Sequence, residues 1–288
     1  MIITHSDNGR MSDFLAVTLA SYAMGDTHIN CIKHADVKDA IKNMSELDVM
    51  VDIGGILDPQ KRIFDHNHNK DLDAAFVHIA KFFKFKLPEN SLWQYFSDVD
   101  TKGPVKAREI HDISLVEVEF IYKSTQLILK TWDLVFSEGT INTDMFIRIG
   151  AALDMHNFDL DGIHLMAIRS IVREIYPDKY SEANEQIAQE KKQKERAIKS
   201  LVFTEINNYK IAINNSGIYL SHTDTGTPII LTPNVLNNKP SLVVNTEVIH
   251  VTEVLDLLNK PTTTFIHPDG FLAFLDDSWE YVINMLPW

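Results

Sequence analysis

The segment LDVMVDIGG, Leu47–Gly55, constrains the fold most tightly. Its continuous apolar character is that of a strand covered on both faces, and such strands belong to parallel sheets flanked by helices. The preceding sequence supplies the flanking elements. Ile2–Thr4 reads as a short strand, and SDFLAVTLASYAM places an N-cap at Ser12 before apolar positions at helical spacing. HINCIKH then reads as a second strand and ADVKDAIKNM as a second helix. This alternation predicts a parallel α/β sheet, whose ligands collect beyond the C-terminal strand ends. His5 and Asp52 both fall at such ends.

DLDAAFVHIAKFF and ENSLWQYFSDV continue the helical pattern, which dominates the chain to about position 204 and is interrupted at Pro177. The character then changes. YKIAINN, GIYLSHT, TPIILTP, SLVVNTE and TTFIHPDGFLAFL read as short strands separated by Asn, Gly, Pro and Thr turns. The expected organisation is therefore an α/β domain over 1–105, a helical connecting region over 106–204, and a smaller β-rich α+β domain over 205–288.

A net charge of −13 argues against a broad basic surface for duplex nucleic acid. The basic run Lys191–Lys199 follows Glu182, Glu185 and Glu190 at helical spacing, which reads as a solvated helix face, with a local binding patch as the alternative. The single cysteine, Cys31, excludes an intramolecular disulfide framework and a thiolate-rich zinc site, and reads as a small core residue. No apolar run is long enough to span a bilayer, and MIITHSDNGR lacks the basic and apolar regions of a secretory signal, so a cytoplasmic protein with no membrane partner is expected.

Four elements can carry chemistry: His5 in THSDNG, Asp52 in VDIGG, Asp65-His66 in FDHN and Asp100 in SDVDTKG. Carboxylate and imidazole donors in this mixture suit Mn²⁺ or Mg²⁺. Each also has an ordinary structural role, since an Asp after a strand often caps a turn.

Taken in order, Thr4-His5-Ser6, VDIGGILDPQKRIFDHN, SDVDTKG and FIHPDGFLAF resemble the motifs of the DHH phosphoesterase superfamily, in particular the branch named after the melanocyte-proliferating gene. The resemblance implies a metal-dependent nuclease or hydrolase with His5, Asp52, His66 and Asp100 as ligands and Asp52 bridging two ions. It places the catalytic motif at Asp65, His66 and Asn67, and substrate contacts at His267 and Gly270. The sequence departs from the branch where a His-x-Asp is expected at Arg10, Met11 and Ser12, where Asn67 replaces a histidine, and where Ala273-Phe274 replaces a glycine pair. Asp7 and Asp13 are substitute ligands of different spacing. The lost ligands favour one ion over two, because a two-ion site needs donors for both. Asn67 offers only neutral hydrogen bonds. Arg10 reads either as a surface residue or as a guanidinium that binds phosphate and fills the space of a missing cation. His68 lies out of phase with the motif and reads as a loop or supporting residue.

Two readings follow. The first is a metal-dependent phosphoesterase whose substrate, a nucleotide or short single-stranded nucleic acid, lies in a cleft between the terminal domains. The second is a catalytically impaired protein of the same fold that holds a nucleotide or a protein partner. Both leave room for a homo-oligomer.

Overall fold

The computed structural model describes residues 1–5, 10–25, 28–66, 71–89, 91–137, 141–233, 239–246, 248–259, 261–266 and 270–286. It divides into two compact units, Met1–Glu185 and Gln186–Trp288.

The first unit opens with β1 (Ile2–His5), α1 (Met11–Met24), β2 (Ile29–Ile32), α2 (Val37–Asn43), β3 (Val49–Val51), β4 (Leu57–Asp58) and β5 (Ile63–Phe64). The sheet order is β2-β1-β3-β5-β4, parallel except for the terminal β4–β5 pair. Alternate residues face opposite layers. Ile2, Val49, Val51 and Phe64 join the core that contains α1, whereas Ile3, Met50 and Ile63 pack with Val37, Ile41 and Met44 of the α2 side. This is the double coverage that the unbroken apolar run of β3 requires. α1 is buried on every face from Met11 to Ser21.

The same unit continues with α3 (Ala75–Phe83), α4 (Leu92–Lys102), α5 (Pro104–His111), α6 (Leu115–Ser137), α7 (Thr143–Met155) and α8 (Gly162–Ile175). α1 packs on α3 and α7. The aromatic contact of Phe14 with Trp132 and Phe146, at centroid distances of 5.1 and 5.4 Å, joins α1 to α6 and α7. The Trp93 indole donates to the Phe158 carbonyl at 2.6 Å, fixing the start of α4. Pro177 opens the long α9 (Pro177–Lys199), where a missing N–H costs nothing.

The second unit contains β6 (Val202–Ile206), β7 (Tyr209–Ile213), α10 (His222–Thr225), β8 (Ile229–Pro233), β9 (Pro240–Val244), α11 (Val251–Leu257), β10 (Thr263–Ile266), β11 (Leu272–Leu275) and α12 (Trp279–Asn284). Its sheet runs β10-β11-β9-β8-β7-β6, with only β7 and β8 parallel. The chain is thus an α/β protein with a parallel sheet, many helices and a β-rich C-terminal part. One expected strand is absent: GIYLSHT runs without strand pairing into the start of α10. Asn214 Nδ2 holds the Ile218 carbonyl at 2.6 Å, and Ser221 caps α10 through Asp224 N–H, so local side chains take the backbone groups a strand needs.

Candidate functional site

β1 and β3 are neighbours at the point where the strand order reverses, with β2 beyond β1 and β5 beyond β3. Ligands of open parallel sheets bind beyond the carboxyl ends of the strands at such a point. Asp52 lies one residue past β3 with φ 53°, a left-handed conformation that Asp tolerates better than most residues. Its N–H donates to the Phe64 carbonyl at 2.8 Å. Asp65 follows β5, and its carboxylate accepts from the Gly55 N–H at 2.7 Å, tying the two-glycine turn to the strand that delivers His66. Gly54 is required in that turn: at φ 127° a Cβ there meets Ile63 Cγ2 at 2.8 Å.

Asp100 arrives from the last turn of α4. The segment after the FDHN motif is held to α4 by the Ala74 N–H, which donates to Ser97 Oγ at 3.1 Å. His66 Nδ1 stands 3.0 Å from Asp52 Oδ1, and Nε2 stands 3.2 Å from Asp100 Oδ2. The three side chains are 7 % exposed or less. His66 Nδ1 and Asp100 Oδ2 nevertheless lack aligned hydrogen bonds despite these short separations. Burial disfavours the His66 imidazolium, but the Asp100 and Asp52 carboxylates outweigh it, and its pKa is pushed up to about 10.

The donor set fits a divalent ion. One donor atom from each of Asp52, His66 and Asp100 lies within 4.8 Å of the others. Two carboxylates and an imidazole suit the Mn²⁺ and Mg²⁺ class, and two of the buried atoms lack the aligned partners that buried polar atoms ordinarily have.

Arg10 adds a cation to this group. Its Nη1 donates to Asp100 Oδ1 and, at 3.3 Å, to the Asp100 carbonyl. A carboxylate near a helix C-terminus faces the negative end of the helix dipole, which favours cationic partners. Burial raises the Asp100 pKa, yet His66 and Arg10 hold it below the usual carboxylate range. Asp13, a substitute ligand by sequence, accepts the Arg10 backbone N–H at 2.6 Å and lies outside the donor cluster. Ser12 Oγ lies against Asp13 at 3.3 Å.

Asp98 and His111 are not singled out by the motif reading. Two residues apart on α4, Asp98 and Asp100 point about 200° apart. Asp98 therefore faces Lys102 at 2.7 Å and His111 at 2.8 Å, and the i,i+4 Asp–Lys spacing is its only sequence signal. Asp98→Asn should lower stability by about 1–2 kcal/mol, the lower part of the range for charged hydrogen bonds because Lys102 is partly exposed. Urea unfolding checks this, and ion uptake should be unchanged.

His5 ends β1, its backbone in register with Ile32. The His5 side chain and residues Asp7, Asn67, His68 and His267 lie outside the described residues. Gly270 lies in the second unit at φ 70°, where a Cβ would fall 1.7 Å from His250 Nε2. His250, missed by the motif reading, caps α11 by accepting the Thr252 N–H at 3.4 Å. A second donor group, Asp159, Asp161 and His164, is explained by capping: Asp161 accepts the N–H groups of Ile163 and His164 at the start of α8.

The switch point of the parallel sheet thus carries Asp52 and Asp65-His66, faced by Asp100 from a helix. Residues 1–96 match the family model MYG1_exonuc, described as an uncharacterised protein family, UPF0160. The match covers the parallel sheet and ends within α4. Among solved structures, a pGpG-specific phosphodiesterase, PggH, from Vibrio cholerae is similar at 11 % identity and TM-score 0.51, over 99 % of this chain and 97 % of that one. A DHH domain described as a member of the s1p family of ribosomal proteins aligns at 13 % identity and TM-score 0.38, over 99 % and 84 %. No curated protein matches the chain. No helix among the described residues is long and apolar enough to cross a membrane.

Proposed function

We propose that the chain is a metal-dependent phosphoesterase that hydrolyses a phosphodiester in a nucleotide or a short single-stranded nucleic acid. The observation that carries this reading is the convergence of the buried Asp52, His66 and Asp100 side chains at the switch point, where His66 Nδ1 and Asp100 Oδ2 lack aligned hydrogen bonds. Asp52 and Asp100 would hold an Mn²⁺ or Mg²⁺ ion through carboxylate oxygens and His66 through a neutral ring nitrogen. When bound, the ion supplies Lewis acidity toward a phosphoryl oxygen and toward water. The two His66 nitrogens face one carboxylate each, so the ring is held in one orientation. Arg10, with its side chain 60 % exposed, offers a guanidinium to a substrate phosphate.

A small substrate is supported by the chain's own charge of −13, which disfavours a long duplex. The description of the similar PggH structure as a pGpG-specific phosphodiesterase agrees with a dinucleotide-sized ligand. The test is product release from a linear dinucleotide, a short single strand and a duplex, with Mn²⁺ or Mg²⁺ and with chelator. Release from the first two, abolished by chelator, is expected. No release from any of the three with either ion, or release indifferent to chelator, contradicts the proposal.

One observation favours the second reading, a binding protein of the same fold. Two cationic groups, His66 and Arg10, already face the carboxylates, so the cluster balances charge without an ion. That reading predicts nucleotide binding in chelator with no turnover under any condition.

A further inference from the structure

In the unit that holds the donor cluster, a cavity of about 370 Å³ opens at Arg10 and Asp100. It is lined by Arg10, Ser12, Phe96, Val99, Asp100 and Pro104, among others. This volume is within the range of small-ligand sites, and its walls combine apolar side chains with a few polar groups, as such sites do. Three features of Arg10 bear on its use. Its Nη1 is committed to Asp100, which fixes the guanidinium plane at the edge of the cluster. The side chain is 60 % exposed, so the guanidinium is accessible to a ligand. Asp100 presents its other oxygen, Oδ2, toward His66, so one carboxylate is shared between the resident guanidinium and the donor cluster.

We propose that Arg10 is a fixed cation that occupies one oxygen of Asp100 and leaves that carboxylate open to a single ion, and that the Arg10 cavity receives a nucleotide phosphate on the free edge of the guanidinium. This deepens the phosphoesterase reading and rests on it for the ion, but the phosphate contact stands apart from it. A guanidinium anchored through one nitrogen keeps parallel N–H donors for a phosphate, and anchoring reduces the side-chain entropy lost on binding. The apolar walls from Phe96, Val99 and Pro104 suit the sugar or base carried by that phosphate. An inorganic phosphate should therefore bind more weakly than a nucleoside monophosphate.

The experiment uses the full chain, with two readouts. Binding of adenosine monophosphate and of inorganic phosphate is measured by calorimetry after chelator treatment, and Mn²⁺ per chain is counted by equilibrium dialysis. The wild type should bind adenosine monophosphate without ion and should take up one Mn²⁺. Arg10→Gln should weaken the nucleotide about 10–100-fold, the size of a charged hydrogen-bond loss, while Arg10→Lys recovers part of it, and circular dichroism confirms that both variants fold. Arg10→Asp, which exchanges the resident cation for a ligand, should raise the count above one Mn²⁺ per chain. Unchanged nucleotide affinity in Arg10→Gln, or two Mn²⁺ ions in the wild type, overturns the proposal. If the wild type binds no Mn²⁺ while Arg10→Gln still loses nucleotide, the phosphate contact is supported and the metal-dependent reading fails instead.

Discussion

Asp52→Asn is expected to remove ion uptake and phosphodiester turnover together, each by at least about 100-fold. Loss of a partner one shell further out typically costs 10–100-fold in metal affinity or activity, so loss of the donor itself should cost no less. The substitution is chosen for what it leaves intact. Asn tolerates the left-handed φ of 53° about as well as Asp, so the backbone at the end of β3 need not move, and the N–H bond to Phe64 is retained. What changes is charge. One of the two carboxylates that hold the His66 pKa up is gone, so that pKa falls from about 10, an effect that histidine NMR titration of the ion-free protein reads independently of activity. Retained turnover in a folded Asp52→Asn protein would show that the reaction does not run through this cluster.

Gly270→Ala carries the second large effect, and it acts on the second unit. At φ 70° a Cβ is disfavoured by about 1–2 kcal/mol. The same Cβ would sit 1.7 Å from the His250 ring, which has to leave its place at the start of α11, adding about 1–3 kcal/mol of overpacking. The Val251 N–H bond to the Gly270 carbonyl at 2.9 Å couples the turn to that helix, so the displacement is not confined to one ring. A total of about 2–5 kcal/mol is a large part of ordinary domain stability. Denaturant unfolding of Gly270→Ala, His250→Ala and the double variant separates the two contributions. The double variant should recover the clash and keep the backbone penalty; purely additive losses would show that the ring and the turn do not meet.

The Gly270 case also shows how a site reading and a packing reading share a residue. The sequence motif marks FIHPDGF as a substrate turn, and the structure gives its glycine a separate reason to be there. The parallel sheet was legible because its signal is local: the apolar run of Val49–Val51 and the helical spacing after Ser12 each report a buried face within a few residues. Asp52, His66 and Asp100 were legible through motif order, although Asp100 reaches the cluster only because α4 turns it away from Asp98. The partners that organise the cluster were not legible in the same way. Arg10 meets Asp100 and Asp65 clamps Gly55 through contacts between distant or turn-separated positions, which periodicity does not encode. GIYLSHT has strand-like composition, yet Asn214 and Ser221 satisfy its neighbouring backbone groups locally, and composition alone cannot weigh that competition.

In the proposed function, Asp52, His66 and Asp100 form the seat of a divalent ion. Anomalous diffraction at the manganese edge, from crystals grown with Mn²⁺, tests it most directly. A single anomalous peak per chain is expected at coordination distance from all three side chains, absent from Asp52→Asn crystals grown in the same way. Well-ordered side chains with no peak among them, while Arg10 and His66 stay paired to the carboxylates, would contradict it.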